Sequence, residues 1–181
     1  MTTIVGVQTA DGCMIASDSR VAADGKVYTH PDMVKAVERG SYIIGGAGDY
    51  RALQVVLHGW QPPLVTAKAK INLYEFVINK VAPSLKATLT EAGVEFNKNS
   101  DDSDNKFELI LLIGINGSIF EIDSDFAVAM NTSGLYAIGS GGDYALGALH
   151  AGATVLEAMR IAAVNNNGTS APFHILEQQV K

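Results

Sequence analysis

Apolar residues in this chain change their spacing several times, and the order of those changes limits the folds open to it. Up to residue 46 they come in short runs parted by turn residues: 3–8 and 13–17 around Asp11-Gly12, Val21 and Val27-Tyr28 around Asp24-Gly25, and 33–37 and 41–46 around Glu38-Arg39-Gly40. Each pair reads as an antiparallel hairpin. From Asp49 the spacing turns helical, with Leu53, Val56, Leu57 and Trp60 on one face until Gln61-Pro62-Pro63 stops the run. Leu73, Phe76, Val77, Val81, Leu85 and Leu89 carry a second helical stretch to Gly93, and Pro83 predicts a kink or break inside it. Residues 97–106 are polar and acidic, a loop. Strands return at 107–115 and 118–122, joined through Asn116-Gly117, then at 127–130 and 135–139. Two helices, 143–150 and 154–164, are parted near Gly152, and 172–176 closes as a strand.

Strands, two helices, strands, two helices, strand: this order predicts an α+β chain whose helices are segregated from mostly antiparallel sheets, since parallel βαβ units would alternate element by element. There is no internal repeat and no linker long enough to divide domains, so 1–181 reads as one domain. With 48% hydrophobic and 18% charged residues, a chain of this size buries roughly 70% of its unfolded surface and needs no metal or disulfide staple.

Charge and cysteine content narrow the partners. A formal net charge of −6 and a pI near 5.1 give no basic surface for nucleic acid or an anionic membrane face. Cys13 is the single cysteine, which excludes an internal disulfide and a cysteine-held metal and suits a reducing compartment. The opening apolar stretch 4–7 is too short for a signal peptide, and the run 109–115 falls far short of the ~18 residues a spanning helix needs, so the expectation is a soluble cytoplasmic protein. No metal site is expected. His30, His58, His150 and His174 form no ligand-spaced pair. Asp101, Ser103 and Asn105 have the alternation of a calcium loop, but Lys106 takes the glycine position and Leu112 the closing glutamate, which reads as a solvated loop.

The most informative position is Thr2. Threonine after Met1 is small enough for the initiator methionine to be trimmed, and an N-terminal threonine carries a hydroxyl nucleophile and, in its own α-amine with a reference pKa of about 7.7–8.0, a base to accept the proton. Many proteins begin Met-Thr without such chemistry, so the surroundings decide. Asp18 and Lys35 read either as supports of such a nucleophile or as a structural ion pair. Gly48 ends an apolar run where the first helix starts, which fits an anion-facing N–H or simply a tight turn. Gly139-Ser140-Gly141-Gly142 lacks the order of a dinucleotide loop and has no Walker lysine.

Taken together, Thr2-Thr3-Ile4-Val5-Gly6-Val7, Ala16-Ser17-Asp18-Ser19-Arg20, Lys35, Gly46-Ala47-Gly48 and Gly139-Ser140-Gly141-Gly142 come in an order and spacing that resemble the proteasome β-subunit family, especially its bacterial branch with the HslV-type peptidase and small bacterial and phage-borne homologues. The resemblance runs over nearly the whole chain. It implies the four-layer αββα sandwich of N-terminal nucleophile hydrolases and a threonine-type endopeptidase working through an acyl-ester on Thr2, without a cofactor. By the same resemblance Asp18 and Lys35 flank the nucleophile, the Gly48 N–H is the oxyanion donor, and Ser140 hydrogen-bonds the Thr2 amine. Active relatives usually carry an aspartate near the end of the last long helix and a serine or threonine three residues later; here these are Asn166 and Thr169, and an asparagine can orient a neighbour but carries no charge.

For substrate, the resemblance implies a first specificity pocket lined by Val21, Met33, Gly46 and Leu53, mostly apolar, with Asp49 and Arg51 near enough to modify it. The peptide backbone would add as a strand along Ala22 and Gly48. It also implies a homo-oligomeric ring and allows an ATP-driven unfoldase as partner. Two further readings stay open: a proteasome-like structural or assembly protein without turnover, for which Asn166 and the presence of Met1 speak, and an amidohydrolase acting on a small amide with the same nucleophile.

Overall fold

In the computed structural model the strands, in chain order, are β1 (Ile4–Gln8), β2 (Gly12–Ser17), β3 (Val21–Ala23), β4 (Lys26–Tyr28), β5 (Ala36–Arg39), β6 (Tyr42–Gly48), β7 (Leu109–Ile115), β8 (Ser118–Ile122), β9 (Val128–Ala129), β10 (Leu135–Ile138) and β11 (His174–Gln179). The helices are α1 (Tyr50–Gln54), α2 (Ala67–Ile71), α3 (Leu73–Phe76), α4 (Ala82–Glu91), α5 (Gly142–His150) and α6 (Val155–Asn165). Residues 1–23, 26–28, 30, 32–96 and 107–180 are described. The expected Asp24-Gly25 turn and the 97–106 loop, with Asp101, Ser103, Asn105 and Lys106, lie outside the described residues.

Period-two alternation builds the layers. Ile4 and Ile15 point into one cluster with Ile43, Leu112 and Ile119, while their neighbours Val5 and Ala16 point into another with Ala145, Leu149, Met159 and Ala162. Ile44, Leu111, Ile113 and Phe120 turn to a third cluster with Leu53, Val56, Trp60, Val81 and Leu85. The four-stranded antiparallel sheet β10-β1-β2-β11 therefore stacks on the five-stranded antiparallel sheet β5-β6-β7-β8-β9. Helices α5 and α6 cover the first sheet, and the helical segments from α1 to α4 cover the second. The result is a four-layer αββα sandwich, as expected. Because both faces of both sheets are buried, the central strands read as nearly unbroken apolar runs even though they are antiparallel.

Several local expectations need correction. The strand expected at 33–37 lies at Ala36–Arg39, and Glu38 and Arg39 are strand, not turn; Gly40 (φ 60°) and Ser41 form the two-residue connection between the pair Arg39↔Tyr42. The charge on Arg39 has a local use: its guanidinium donates to the carbonyl oxygens of Leu57 (2.5 Å) and Trp60 at the end of the first helical run. Pro83 does not break the second run. A wider, π-helical turn (Val77–Val81) lies just before α4, whose first turn holds Pro83, so the proline's missing N–H falls where the hydrogen-bond ladder is already shifting from i→i+5 to i→i+4. α2 was not expected, and the closing strand lies further on than 172–176, as β11. Among the described residues no helix is long and apolar enough to cross a membrane.

Cys13 faces the space between the sheets, 5% exposed. Burial pushes its thiol up from 9.0 to about 11, with the Gly117 backbone hydrogen bond pulling weakly the other way. The neutral thiol's contribution to stability is thus full below pH 9 and is lost as pH rises toward 11. At pH 8 the native protein is expected to resist Ellman's reagent and to label stoichiometrically once unfolded; labelling of the native protein at the rate of a free thiol would show this site to be open.

Candidate active site

Thr2 and Thr3 lead into β1 ahead of its first paired residue, Ile4, and are held from both sides. The Asp18 N–H donates to the Thr3 carbonyl (3.1 Å) and the Gly141 N–H to the Thr2 carbonyl (3.3 Å). Thr2 opens on a cleft of about 820 Å³ whose walls include Gly48, Phe107, Glu108, Asp123 and Ser140. Its hydroxyl donates to the carbonyl oxygen of Met1 at 2.7 Å, and Lys35 Nζ donates to that same oxygen at 3.2 Å. A hydroxyl and an ammonium thus converge on one peptide carbonyl.

Lys35 directly precedes β5, and its carbonyl accepts the Gly46 N–H (3.1 Å). Its side chain is 2% exposed and meets that of Asp18, at 0%, with Nζ 2.8 Å from Oδ1. Burial is the largest influence on Lys35 and holds its ammonium below the usual lysine range; the Asp18 carboxylate works against this, and the nearby Arg20 cation adds to it. Asp18 is also tied by the N–H groups of Thr3 (2.9 Å) and Arg20 (2.9 Å), which leaves it little freedom to move. Among the described residues no group of three or more His, Cys, Asp or Glu side chains could hold a metal ion.

Gly48 presents a free main-chain edge. It lies opposite Leu109, whose own N–H and carbonyl are engaged by Ser124 Oγ at 3.0 and 3.3 Å, so this pair belongs to the widely spaced register and Gly48 faces away from β7. Two residues earlier the Gly46 N–H, on the same edge, reaches Lys35; at Gly48 β5 has not yet begun and the edge opens on the cleft. Gly48 has φ +116°, and a Cβ there would lie 2.2 Å from the Glu108 carbonyl oxygen. Gly48→Ala is expected to cost about 1–3 kcal/mol in backbone strain. Alanine keeps the N–H, so where that N–H serves an oxyanion the fall in kcat comes from the shift the Cβ forces on it, up to ~100-fold. Urea unfolding and steady-state kinetics check the two parts separately.

Ser140 lies just before α5. Its Oγ accepts the Thr2 N–H (3.2 Å) and lies 3.2 Å from Asn166 Oδ1. Asn166 Nδ2 donates to the Ser140 carbonyl (2.9 Å), which turns Oδ1 toward the Gly168 N–H (2.9 Å) and the Thr169 hydroxyl (3.3 Å). The structure thus joins Asn166 and Thr169 to Ser140 and Thr2.

No protein-family model and no curated protein matches this sequence. Solved structures do. BPH of Thiobacillus denitrificans, in complex with epoxomicin, superposes with a TM-score of 0.73 at 18% identity, covering 99% of this chain and 100% of the other. Anbu, an ancestral β-subunit, from Yersinia bercovieri gives 0.70 at 20% identity, covering 98% and 81%. HslV from Trypanosoma brucei gives 0.65 at 22% identity, covering 98% and 99%. The chain has the proteasome-like fold.

Within the proteasome-like fold, the residues expected to line a specificity pocket lie outside the cleft that Thr2 borders. Gly46 and Leu53 pack on each other, a Cβ at Gly46 falling 2.6 Å from Leu53 Cδ1, and Leu53 belongs to the helix-covered core. Val21 and Ala22 lie half-buried on β3, and Met33 is half-buried ahead of β5. None of these five borders the cleft beside Thr2, whereas Asp49 does. Sequence reasoning missed Glu108, Ile110 and Asp123. The signal was available in strand parity: Leu112 and Ile119 face the space between the sheets, so residues 110 and 108 on one strand, and 121 and 123 on the other, share that face.

Proposed function

We propose that this chain is a threonine-type endopeptidase of proteasome-like class, working as one domain over 1–181. The observation that carries the reading is the carbonyl oxygen held between the Thr2 hydroxyl and Lys35 Nζ at the floor of the cleft. Once Met1 is removed, the freed Thr2 amine takes the Oγ proton and Oγ attacks the scissile carbonyl carbon. The Gly48 N–H receives the developing oxyanion, and the carbonyl re-forms as the amine hands its proton to the leaving nitrogen. The ester on Thr2 is then hydrolysed by a water that the same amine activates. Lys35 favours the alkoxide-like state of Oγ, Asp18 fixes Lys35, and Ser140 orients the amine, held in turn by Asn166 and Thr169. The peptide runs as an added strand along the Gly48 edge, with Ala22 on its far side. Val21, Met33, Gly46 and Leu53 would act on substrate choice only through the residues packed on them. By the family resemblance we place the protein in a homo-oligomeric ring, open to an ATP-driven unfoldase, and its single cysteine suits the reducing cytoplasm.

A second reading, a proteasome-like assembly subunit without turnover, is favoured by Asn166, which by the resemblance stands in place of an aspartate and brings no charge to the Ser140 hydroxyl it accepts from at 3.2 Å. Intact mass of the protein from its own cells, before and after treatment with an epoxyketone that must bond both the hydroxyl and the free amine of a threonine, separates the two. Loss of Met1 with a stoichiometric adduct supports the peptidase; retained Met1 and no adduct leaves the scaffold.

A further inference from the structure

Thr3 follows the proposed nucleophile, and the alternation that opens Thr2 on the cleft turns Thr3 to the opposite face, against Gly141 and the 166–169 segment. Its hydroxyl is fully buried, with Oγ1 2.5 Å from Thr169 Oγ1. Gly141 passes so close that a Cβ there would lie 2.1 Å from Thr3 Oγ1 and 2.8 Å from Thr169 Oγ1, so the pair is enclosed by backbone.

The proton direction follows from chemistry. Asn166 Oδ1 is a carbonyl oxygen and only accepts; its orientation is fixed because Nδ2 donates to the Ser140 carbonyl. Either hydroxyl of the Thr3–Thr169 pair can donate to the other; with Thr169, 3.3 Å from Oδ1, giving its proton there beside the Gly168 N–H, Thr3 gives its own to Thr169. Ser140, 3.2 Å from Oδ1, likewise spends its proton there, which leaves its lone pair for the Thr2 N–H at 3.2 Å. Four side chains thus form one directed set, with Thr3 at its buried end and the Thr2 nitrogen at its exposed end.

We infer that Thr3 is a positioning residue for the Thr2 amine, acting through Thr169 and Asn166 to keep Ser140 an acceptor. The inference rests on the threonine-peptidase reading. Without the Thr3 hydroxyl, Thr169 Oγ1 loses its 2.5 Å partner in an enclosed site and the 166–169 turn is free to shift, carrying Asn166 Oδ1 away from Ser140, whose proton can then turn to the Thr2 carbonyl, 3.4 Å away. The amine then loses its orienting contact while the cleft that binds substrate is untouched.

The test compares Thr3→Val, which keeps the shape, with Thr3→Ser, which keeps the hydroxyl, in protein that has lost Met1. Thr3→Val is expected to lower kcat about ten- to hundredfold with KM unchanged, as a small misplacement of a reacting group does; Thr3→Ser should stay within about twofold of the parent. Thr169→Val should reproduce the loss, and the double variant should be no slower than either single one, because both break one set of contacts. If Thr3→Val does not fold, Thr169→Val and Thr3→Ser carry the comparison. Parental kcat in Thr3→Val or, where that fails to fold, in Thr169→Val, a Thr3→Ser variant as slow as Thr3→Val, or a change confined to KM would overturn the inference and leave the peptidase standing. Parent protein with neither turnover nor threonine adduct would overturn both, which keeps the two failures distinguishable.

Discussion

Thr2→Ala is expected to lower peptide-amide turnover by roughly 10⁴-fold or more, the scale on which removal of a covalent nucleophile is felt, and to change stability by only about 1 kcal/mol. The asymmetry follows from what Thr2 does in the fold. Its main chain is held by the Gly141 N–H and the Ser140 hydroxyl whatever its side chain, and what alanine removes is one methyl and one hydroxyl, the latter bonded to the Met1 carbonyl in the unprocessed chain. Thr2→Ser keeps the hydroxyl and should retain turnover. The measurement is kcat on a fluorogenic peptide beside a urea melt. Thr2→Ala with parental turnover would remove the nucleophile from Thr2, and a collapse of stability with it would mean that the hydroxyl is structural.

How far the sequence discloses this molecule depends on whether a feature is set locally or by register. The layers are local: Ile4 beside Val5 and Ile15 beside Ala16 already declare two buried faces, and Asn116-Gly117, with φ of 49° and 84°, makes the tight turn that its dipeptide announces. Register is not local. Met33 and Val34 look more strand-like than Glu38 and Arg39, yet the strand includes the charged pair, because Arg39 finds carbonyl partners at the end of a helical run some twenty residues away. The π-helical turn that accommodates Pro83 likewise has no sequence signature. At the site, Thr2, Asp18, Lys35 and Ser140 are legible through a spaced motif. For the cleft walls Glu108 and Asp123 strand parity shows which face each shares, but only the β7–β8 pairing shows that it is the face Thr2 opens on. Thr3 stays hidden for a different reason: a threonine beside a threonine in a strand looks like β-propensity until both faces of the strand are seen.

Lys35→Met should destabilise the protein by about 3–5 kcal/mol, far more than a surface charge deletion, because it strands a carboxylate that is completely buried. The Thr3 and Arg20 N–H groups at 2.9 Å still face Asp18 in the variant, but neither brings the full charge that Nζ supplies at 2.8 Å. Adding Asp18→Asn tests the cause, since no unpaired charge remains. The amide oxygen can replace only one of the two carboxylate oxygens, Oδ1 that takes the Thr3 N–H or Oδ2 that takes the Arg20 N–H, and its NH2 faces the other donor. The double variant should therefore recover part of the lost stability in urea, the remainder being the one N–H left without an acceptor. Turnover should not return with it, because the proposed electrostatic support of Thr2 Oγ by the Lys35 ammonium is still missing. Since the pair is out of water, the loss in the single variant should be nearly the same at 0.05 and 0.5 M salt, where an exposed pair would be screened. A loss below about 1 kcal/mol, or one that salt erases, would mean that the Asp18–Lys35 pair is hydrated in solution. If so, the ammonium would no longer be fixed beside the hydroxyl and its electrostatic part in activating Thr2 would be small.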